Sequence, residues 1–157
     1  MHEISLSHIC AITCLVASTV GFAQSPNQQG ASTNLIRNPS GGYTHRTVEI
    51  PPGSRILYIS GQTATGADGK TPADGDAQAE IVYERIAKSL ADAGMTMQDL
   101  VKTTVYLTDA ADLPAVIRAG RKYNPTGKQA GTLVYVKALA VPEARIEIDA
   151  VAARATK

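Results

Sequence analysis

The sequence predicts an α+β domain, a two-layer fold in which a mixed β-sheet carries two helices on one face. Three observations lead there. Strand-like and helix-like segments follow one another in the order strand, strand, helix, strand, helix, strand, strand. The chain of 157 residues is about one domain long. Its composition is 44% hydrophobic but only 4% aromatic, with no Trp and one Phe, so a core must be built from Val, Ile, Leu and Ala packed between sheet and helix.

Residues 43–50 and 55–60 are rich in β-branched and aromatic side chains and flank Pro51-Pro52-Gly53, which predicts two strands joined by a turn. Residues 61–75, crowded with Gly, Thr, Asp and Ala, predict a long loop with a turn at Asp68-Gly69. A helix is expected to start at Asp76, whose carboxylate can cap the first turn, and to stop at Gly94. Within it Ala79, Val82, Ile86, Leu90 and Ala93 form an apolar face, while Glu80, Glu84, Arg85 and Lys88 form the other, with Glu84 set to pair with Lys88. Residues 100–108 alternate: Val101, Thr103, Val105 and Leu107 face one way, Lys102, Thr104, Tyr106 and Thr108 the other. Asp112 is expected to cap a second helix, with Pro114 in its first turn and its end near Tyr123. Residues 132–138 and 144–153 complete the pattern as strands. The sheet face left uncovered would mix Tyr58 and Val151 with Arg145, Glu147 and Asp149, a combination that another subunit often covers.

Residues 9–20 form a short apolar run followed by Gly21-Phe22-Ala23, a small-x-small pattern that predicts a signal peptide over 1–23 and a mature chain starting at Gln24. The segment lacks a basic n-region, and the alternative is a buried N-terminal helix, since the run is short for a membrane span. Residues 24–36, rich in Gln, Asn, Ser and Gly, read as a flexible leader into a domain over 37–157. Export implies a periplasmic or secreted protein with no membrane attachment after cleavage. Both cysteines, Cys10 and Cys14, leave with the export segment, which excludes a disulfide, a cysteine nucleophile and a thiolate zinc site. His45 is the one histidine of the mature chain, so no metal site and no cofactor are expected. With Glu3 removed, 15 basic residues face 13 acidic ones, a net charge of about +2, and the basic residues are scattered singly apart from Arg121-Lys122. That pattern argues against nucleic-acid binding.

Gly69-Lys70-Thr71 looks like the end of a phosphate-binding loop, but Ala64 stands where that motif needs glycine, and the segment lies too far before its helix. No dinucleotide-binding glycine pattern follows a strand. A lone His45 beside a strand reads as structural rather than as part of a triad.

A set of segments in fixed order remains. Tyr43-Thr44, Ser60-Gly61-Gln62, Gln78, Ala93-Gly94, residues 102–109 (Lys-Thr-Thr-Val-Tyr-Leu-Thr-Asp) and Ile146-Glu147-Ile148-Asp149-Ala150 together resemble the Rid/YjgF family over residues 37–153. The resemblance implies a fold like that of trimeric-type chorismate mutases, a homotrimer whose sheets line a central barrel, and small-molecule pockets between subunits. It also implies hydrolysis of enamine or imine acids to keto acids and ammonia. In the family an arginine clamps the carboxylate, groups near the Ser-Gly-Gln segment and a tyrosine line the pocket, and a glutamate holds the attacking water.

Carried over by position, the tyrosine corresponds to Tyr43, the strand-end segment to Ser60 and Gly61, and the glutamate, as catalytic residue, to Glu147. The family's Pro-Ala-Arg-Ser/Thr corresponds to Gln129-Ala130-Gly131-Thr132, so Gly131 and Thr132 line the pocket and Gly131 stands where the guanidinium should originate. Ile117 stands where an asparagine is common. Hydrogen bonds to a charged partner are worth about 1.5–3 kcal/mol each, so losing a two-pronged clamp would weaken carboxylate recognition on the order of a hundredfold to ten-thousandfold. Arg145 and Lys128 are the candidate replacements, with an ion pair to an acidic neighbour as the other role open to Arg145. Two readings follow: a homotrimeric deaminase of imines or enamines, or a metabolite-binding module of the same fold that catalyses nothing.

Overall fold

The computed structural model describes residues 36–155; the expected export segment, 1–23, and leader residues 24–35 lie outside them. The strands are β1 (Ile36–Pro39), β2 (His45–Glu49), β3 (Arg55–Gln62), β4 (Leu100–Leu107), β5 (Ala130–Tyr135) and β6 (Ile146–Arg154), and the helices are α1 (Gly75–Asp92) and α2 (Leu113–Tyr123). They form one six-stranded sheet in the order β1-β2-β5-β4-β6-β3. β5 runs parallel to both β2 and β4, while β6 runs antiparallel to β4 and β3. This is the mixed α+β sheet the sequence predicts.

Four features depart from the sequence reading. An extra strand, β1, begins at the last residue of the expected leader and pairs antiparallel with β2. Four residues with no alternation carry little strand signal; long-range bonds hold them instead, with Arg37 donating to the carbonyls of Leu100 at 2.9 Å, Lys128 at 2.6 Å and Gln98 at 2.9 Å. Next, α1 is capped by Asp74, whose Oδ2 accepts from the Ala77 N–H at 2.9 Å, and Asp76 lies inside the first turn, paired with Arg118. Asp112 stands at the α2 N-cap but makes no side-chain cap bond, because it is turned toward Arg145. Lys88 reaches forward to Asp92 at 2.7 Å rather than back to Glu84; both positions are one turn away, and exposed pairs are worth so little that small differences choose between them.

The expected helix stop is present: Gly94 follows α1 with φ +68°, a conformation a side chain would resist. The core lies between the helices and one sheet face, where Leu107, Ile146 and Ile148 are fully buried against Val82, Ile86 and Leu90 of α1. Burying such a side chain stabilises by about 1.5–3 kcal/mol. Gln78, also fully buried, ties three segments together: its Nε2 donates to Pro72 O (2.7 Å) and Glu143 O (3.2 Å), and its Oε1 accepts from Arg145 N (2.9 Å).

Two ion pairs, Arg118 with Asp76 and Lys122 with Glu80, and the stacked rings of Tyr83 and Tyr123 hold α2 against α1. They fix α2 alongside β4 and β5, which leaves a gap that the core does not fill.

Candidate active site in two halves

The gap is a cavity of about 300 Å³. Tyr43 and Thr44 wall it from the segment entering β2, and Thr103 and Val105 from β4. Leu113, Val116, Ile117 and Arg121 line it from α2, and Gln129, Gly131, Thr132 and Leu133 from β5 and the residue before it. The register Thr103↔Gly131 and Val105↔Leu133 places these strand positions on the helix side, since Thr103 and Val105 are buried there.

Three of the expected site residues, Tyr43, Gly131 and Thr132, therefore meet at this cavity. Their chemistry is specific. The Tyr43 hydroxyl lies 2.7 Å from Gly120 O and 2.5 Å from Asn124 O, so its one proton is committed to the last turn of α2. Burial holds the phenol above its ordinary pKa, with the charge of Arg121 acting in the opposite direction. Tyr43 thus offers a ligand its ring and an acceptor, not a donor. Gly131 has no room for a side chain: a Cβ there would lie 2.7 Å from Thr44 Cγ2. Thr132 borders the cavity from the opposite parity of β5: its side chain turns to the open face, where the hydroxyl accepts from Lys102 Nζ at 2.7 Å.

Ser60, Gly61 and Glu147 meet elsewhere. Between the pairs Ile59↔Ala150 and Gln62↔Ile148 the ladder slips, so that Ser60 and Gly61 together oppose Asp149. This bulge lets β3 pass close to the Glu147 side chain. A Cβ on Gly61 would fall 1.9 Å from Glu147 Oε1, so only glycine leaves the carboxylate its place. Glu147 pairs in register with Tyr106, which points away from the helices. Beside it the Tyr106 hydroxyl donates to Asp149 Oδ2 at 2.9 Å, a bond that raises the phenol's pKa. The Glu147 carboxylate makes no hydrogen bond or ion pair among the described residues.

The two halves lie on opposite faces of the sheet, because Thr103, opposite Gly131, and Tyr106, opposite Glu147, have opposite parity on β4. Within one chain they cannot converge.

Neither expected replacement for a clamping arginine lines the cavity. Arg145 lies before β6 and turns to Asp112, Nη2 to Oδ1 at 3.0 Å, with the Asp112 side chain only 7% exposed. Burial raises the Asp112 pKa; Arg145 opposes the rise, and Asp109, Asp74 and Asp76 add to it. Of the two roles open to Arg145, the ion pair is the one it fills. Lys128 gives its main-chain carbonyl to Arg37. Arg121 and Gln129 do line the cavity, and the sequence reading passed over both. The signal was present in helical spacing, since Leu113, Ile117 and Arg121 stand four residues apart and share one stripe of α2.

His45 donates its backbone N–H to Gln129 O at 2.9 Å, and its Nδ1 is buried without a partner in the described residues. Among those residues no group of three or more His, Cys, Asp or Glu is placed to hold a metal ion, and no helix is long and apolar enough to cross a membrane.

Residues 32–154 match the family model described as Endoribonuclease L-PSP. The chain is similar to the 3-aminoacrylate deaminase RutC of Acinetobacter baylyi, 34% identical over 62% of this chain and 78% of the relative. It is also similar to Protein DfrA of Myxococcus xanthus, 32% identical over 68% of this chain and 82% of that one. Among solved structures it is similar to YyfB of Yersinia pestis, a Rid-family protein of unknown function, with a TM-score of 0.63 and 32% identity over 76% of this chain and 96% of that one. The serine-bound TdcF of E. coli gives a TM-score of 0.57 and 27% identity over 66% of this chain and 83% of that one. The fold, the order of its elements and these likenesses agree: the chain belongs to the Rid/YjgF family.

Proposed function

We propose that this protein is an exported homotrimeric deaminase that hydrolyses a small enamine or imine to a carbonyl compound and ammonia, at sites completed between neighbouring subunits. The observation that carries this reading is the separation of the two halves: a cavity that lacks a general base on one face, and an unpaired Glu147 on the other. A second copy that turns its own open face to the cavity side of the first would bring its Glu147 to that cavity. Apolar groups on that face suit such packing, with Tyr58 77% exposed and Ile56 and Val134 also exposed. The likeness to a protein named as a 3-aminoacrylate deaminase supports the chemistry.

In this mechanism Glu147 takes a proton from water as the water oxygen bonds to the imine carbon and the nitrogen is protonated. The carbinolamine then collapses: its hydroxyl proton passes through the Glu147 carboxylate to the nitrogen, the C–N bond breaks, and ammonia departs from the new carbonyl. Nitrogen leaves with three hydrogens and the carbon keeps the oxygen of water, so one imine and one water give one carbonyl and one ammonia.

The test uses the mature protein, whose N-terminus is expected at Gln24. Supplied with the imine of pyruvate generated in place, it should release ammonia, and Glu147→Ala should slow release about a hundredfold or more. Sedimentation should give three subunits. Release unchanged by that substitution, or single protomers at working concentration, would overturn the reading. Gly131 favours the alternative, a binding module without catalysis, which predicts ligand binding with no hydrolysis of any imine or enamine.

A further inference from the structure

The cavity's one charged lining residue among the described residues is Arg121. Its neighbours on α2 are committed, Arg118 to Asp76 and Lys122 to Glu80, whereas Arg121 makes no hydrogen bond or ion pair among the described residues. Arg121 is exposed, so water serves its guanidinium in the free protein, and its five donors with no acceptor suit an anion at the cavity.

Gln129 points the same way from independent geometry. It is only 5% exposed and lines the cavity. Thr126 donates to Gln98 Oε1 at 2.8 Å, which turns the Gln98 amide nitrogen toward Asn124 Oδ1 at 3.5 Å and leaves Asn124 Nδ2 to donate to Gln129 Oε1 at 3.0 Å. This chain of amides decides which way Gln129 is turned. With its oxygen occupied, the Gln129 nitrogen keeps two N–H donors for whatever enters the cavity. An anionic oxygen entering the cavity would accept from it more strongly than water does.

The remainder of the wall is of opposite character. Leu113 and Ile117 continue the Arg121 stripe along α2, and Leu133 faces them from β5. At about 300 Å³ the space is at the small end of ligand pockets, which run to about 1,000 Å³.

We propose that Arg121 and Gln129 form the anion-holding end of the cavity, and that its ligand is a small carboxylate whose apolar body rests on Leu113, Ile117 and Leu133. The carboxylate handle is then held from α2 and from the residue before β5, not from position 131. The proposal rests on the deaminase reading only in taking this cavity as the ligand site. It adds the residues that take the carboxylate in place of a guanidinium at position 131, and a preference for an apolar side chain over the smallest member of the series.

Stable keto acids probe it directly, by calorimetry on the mature chain with α-ketoisocaproate, its neutral amide, and pyruvate. The wild type should bind α-ketoisocaproate about tenfold or more tighter than the amide, as expected for a charge-assisted bond at a partly exposed site. It should also prefer α-ketoisocaproate to pyruvate by about tenfold. Arg121→Gln should bring the acid down to the level of the amide and leave the amide unchanged, Arg121→Lys should restore part of the difference, and Gln129→Leu should weaken the acid by a smaller factor. Matched thermal unfolding shows that each variant is folded. Equal affinity for acid and amide in the wild type, acid preference that survives Arg121→Gln, or no binding of any of the three overturns the proposal. Acid preference without turnover of any imine would remove the deaminase reading and leave this one standing, and turnover with no acid preference would do the reverse.

Discussion

The two faces of the sheet at β4 are built from alternate residues of one strand, yet they solve different problems. On the helix side Val105 and Leu107 are buried and the polar groups around the cavity are largely bonded to one another: Tyr43 to α2, Asn124 to Gln129. On the open side Lys102 is bonded to Thr132 and Tyr106 to Asp149 across strands, while the Glu147 carboxylate is not bonded and Tyr58 is largely bare. One face is closed within the chain apart from Arg121 and the Gln129 amide nitrogen. The other leaves apolar side chains exposed, and the unbonded carboxylate of Glu147 is on that one. The difference teaches that two unpaired charges of this fold, Arg121 at the cavity and Glu147 beside Gly61, sit on different faces, so each can be perturbed while the other is left intact.

The sharpest way to break that comparison is at Gly61. A methyl group there would collide with Glu147 Oε1, so Gly61→Ala should displace the carboxylate and lower turnover to the level of Glu147→Ala, a loss of about a hundredfold or more. Binding of α-ketoisocaproate in the cavity should change by no more than a few-fold. If turnover survives, the Gly61 and Glu147 corner is not the water-handling half; if binding collapses with turnover, the two faces do not act separately.

On the helix side the corresponding close approach is Gly131 against Thr44. Gly131→Ala forces Thr44 Cγ2, 2.7 Å away, to shift, and overpacking of this kind costs about 1–3 kcal/mol in denaturant unfolding. Thr44→Ser removes that methyl and leaves Oγ at the site of an atom 3.5 Å away, so the double variant should recover most of the loss. Simple additivity of the two substitutions would show that the cavity wall is looser than the geometry implies. The same contact bears on any attempt to place a guanidinium at position 131: Thr44 must be reduced first.

Much of this arrangement could be read from residues alone, and the parts that could not have a common cause. Alternation over residues 101–107 is a period-two signal, and it assigned both faces of β4 correctly. Gly94 was legible because only glycine suits that left-handed stop. Asp74 and Asp76 flank Gly75, and either could cap; what decides is that Asp112 and Arg145 pack against Gly75, with a Cβ there 2.1 Å from Asp112 Oδ1, a contact between residues far apart in sequence. Arg145 fails as a ligand group for the same reason, since its partner Asp112 is 33 residues away. Tyr43 lines the cavity, but its hydroxyl answers to the end of α2, 77 residues on. Local periodicity shows which face a residue takes; it does not show which long-range partner claims the polar atom.

The smallest expected effect separates two aspartates that each meet an arginine at an end of β6. Burial would raise both pKa values, and at Asp112 it prevails. Asp99 is also pushed up by burial, but Arg154 donates to both its oxygens, at 3.0 and 2.5 Å, and Thr96 adds its N–H at 2.7 Å and its hydroxyl at 3.1 Å, which together hold the carboxyl below its usual range. A carboxylate with a lowered folded pKa stabilises above its unfolded value and loses that contribution as pH falls through the folded one. Asp99→Asn should therefore lower stability near neutral pH by about 1 kcal/mol or less, because Arg154 is largely exposed, and the two unfolding curves should converge as acid protonates Asp99 in the wild type. Asp112 carries the opposite slope, its linkage contribution fading as pH rises through its raised value. A gap between wild type and Asp99→Asn that stayed constant into strong acid would mean that the four donors orient Asp99 without stabilising its charge, and the contrast between the two ends of the strand would reduce to burial alone.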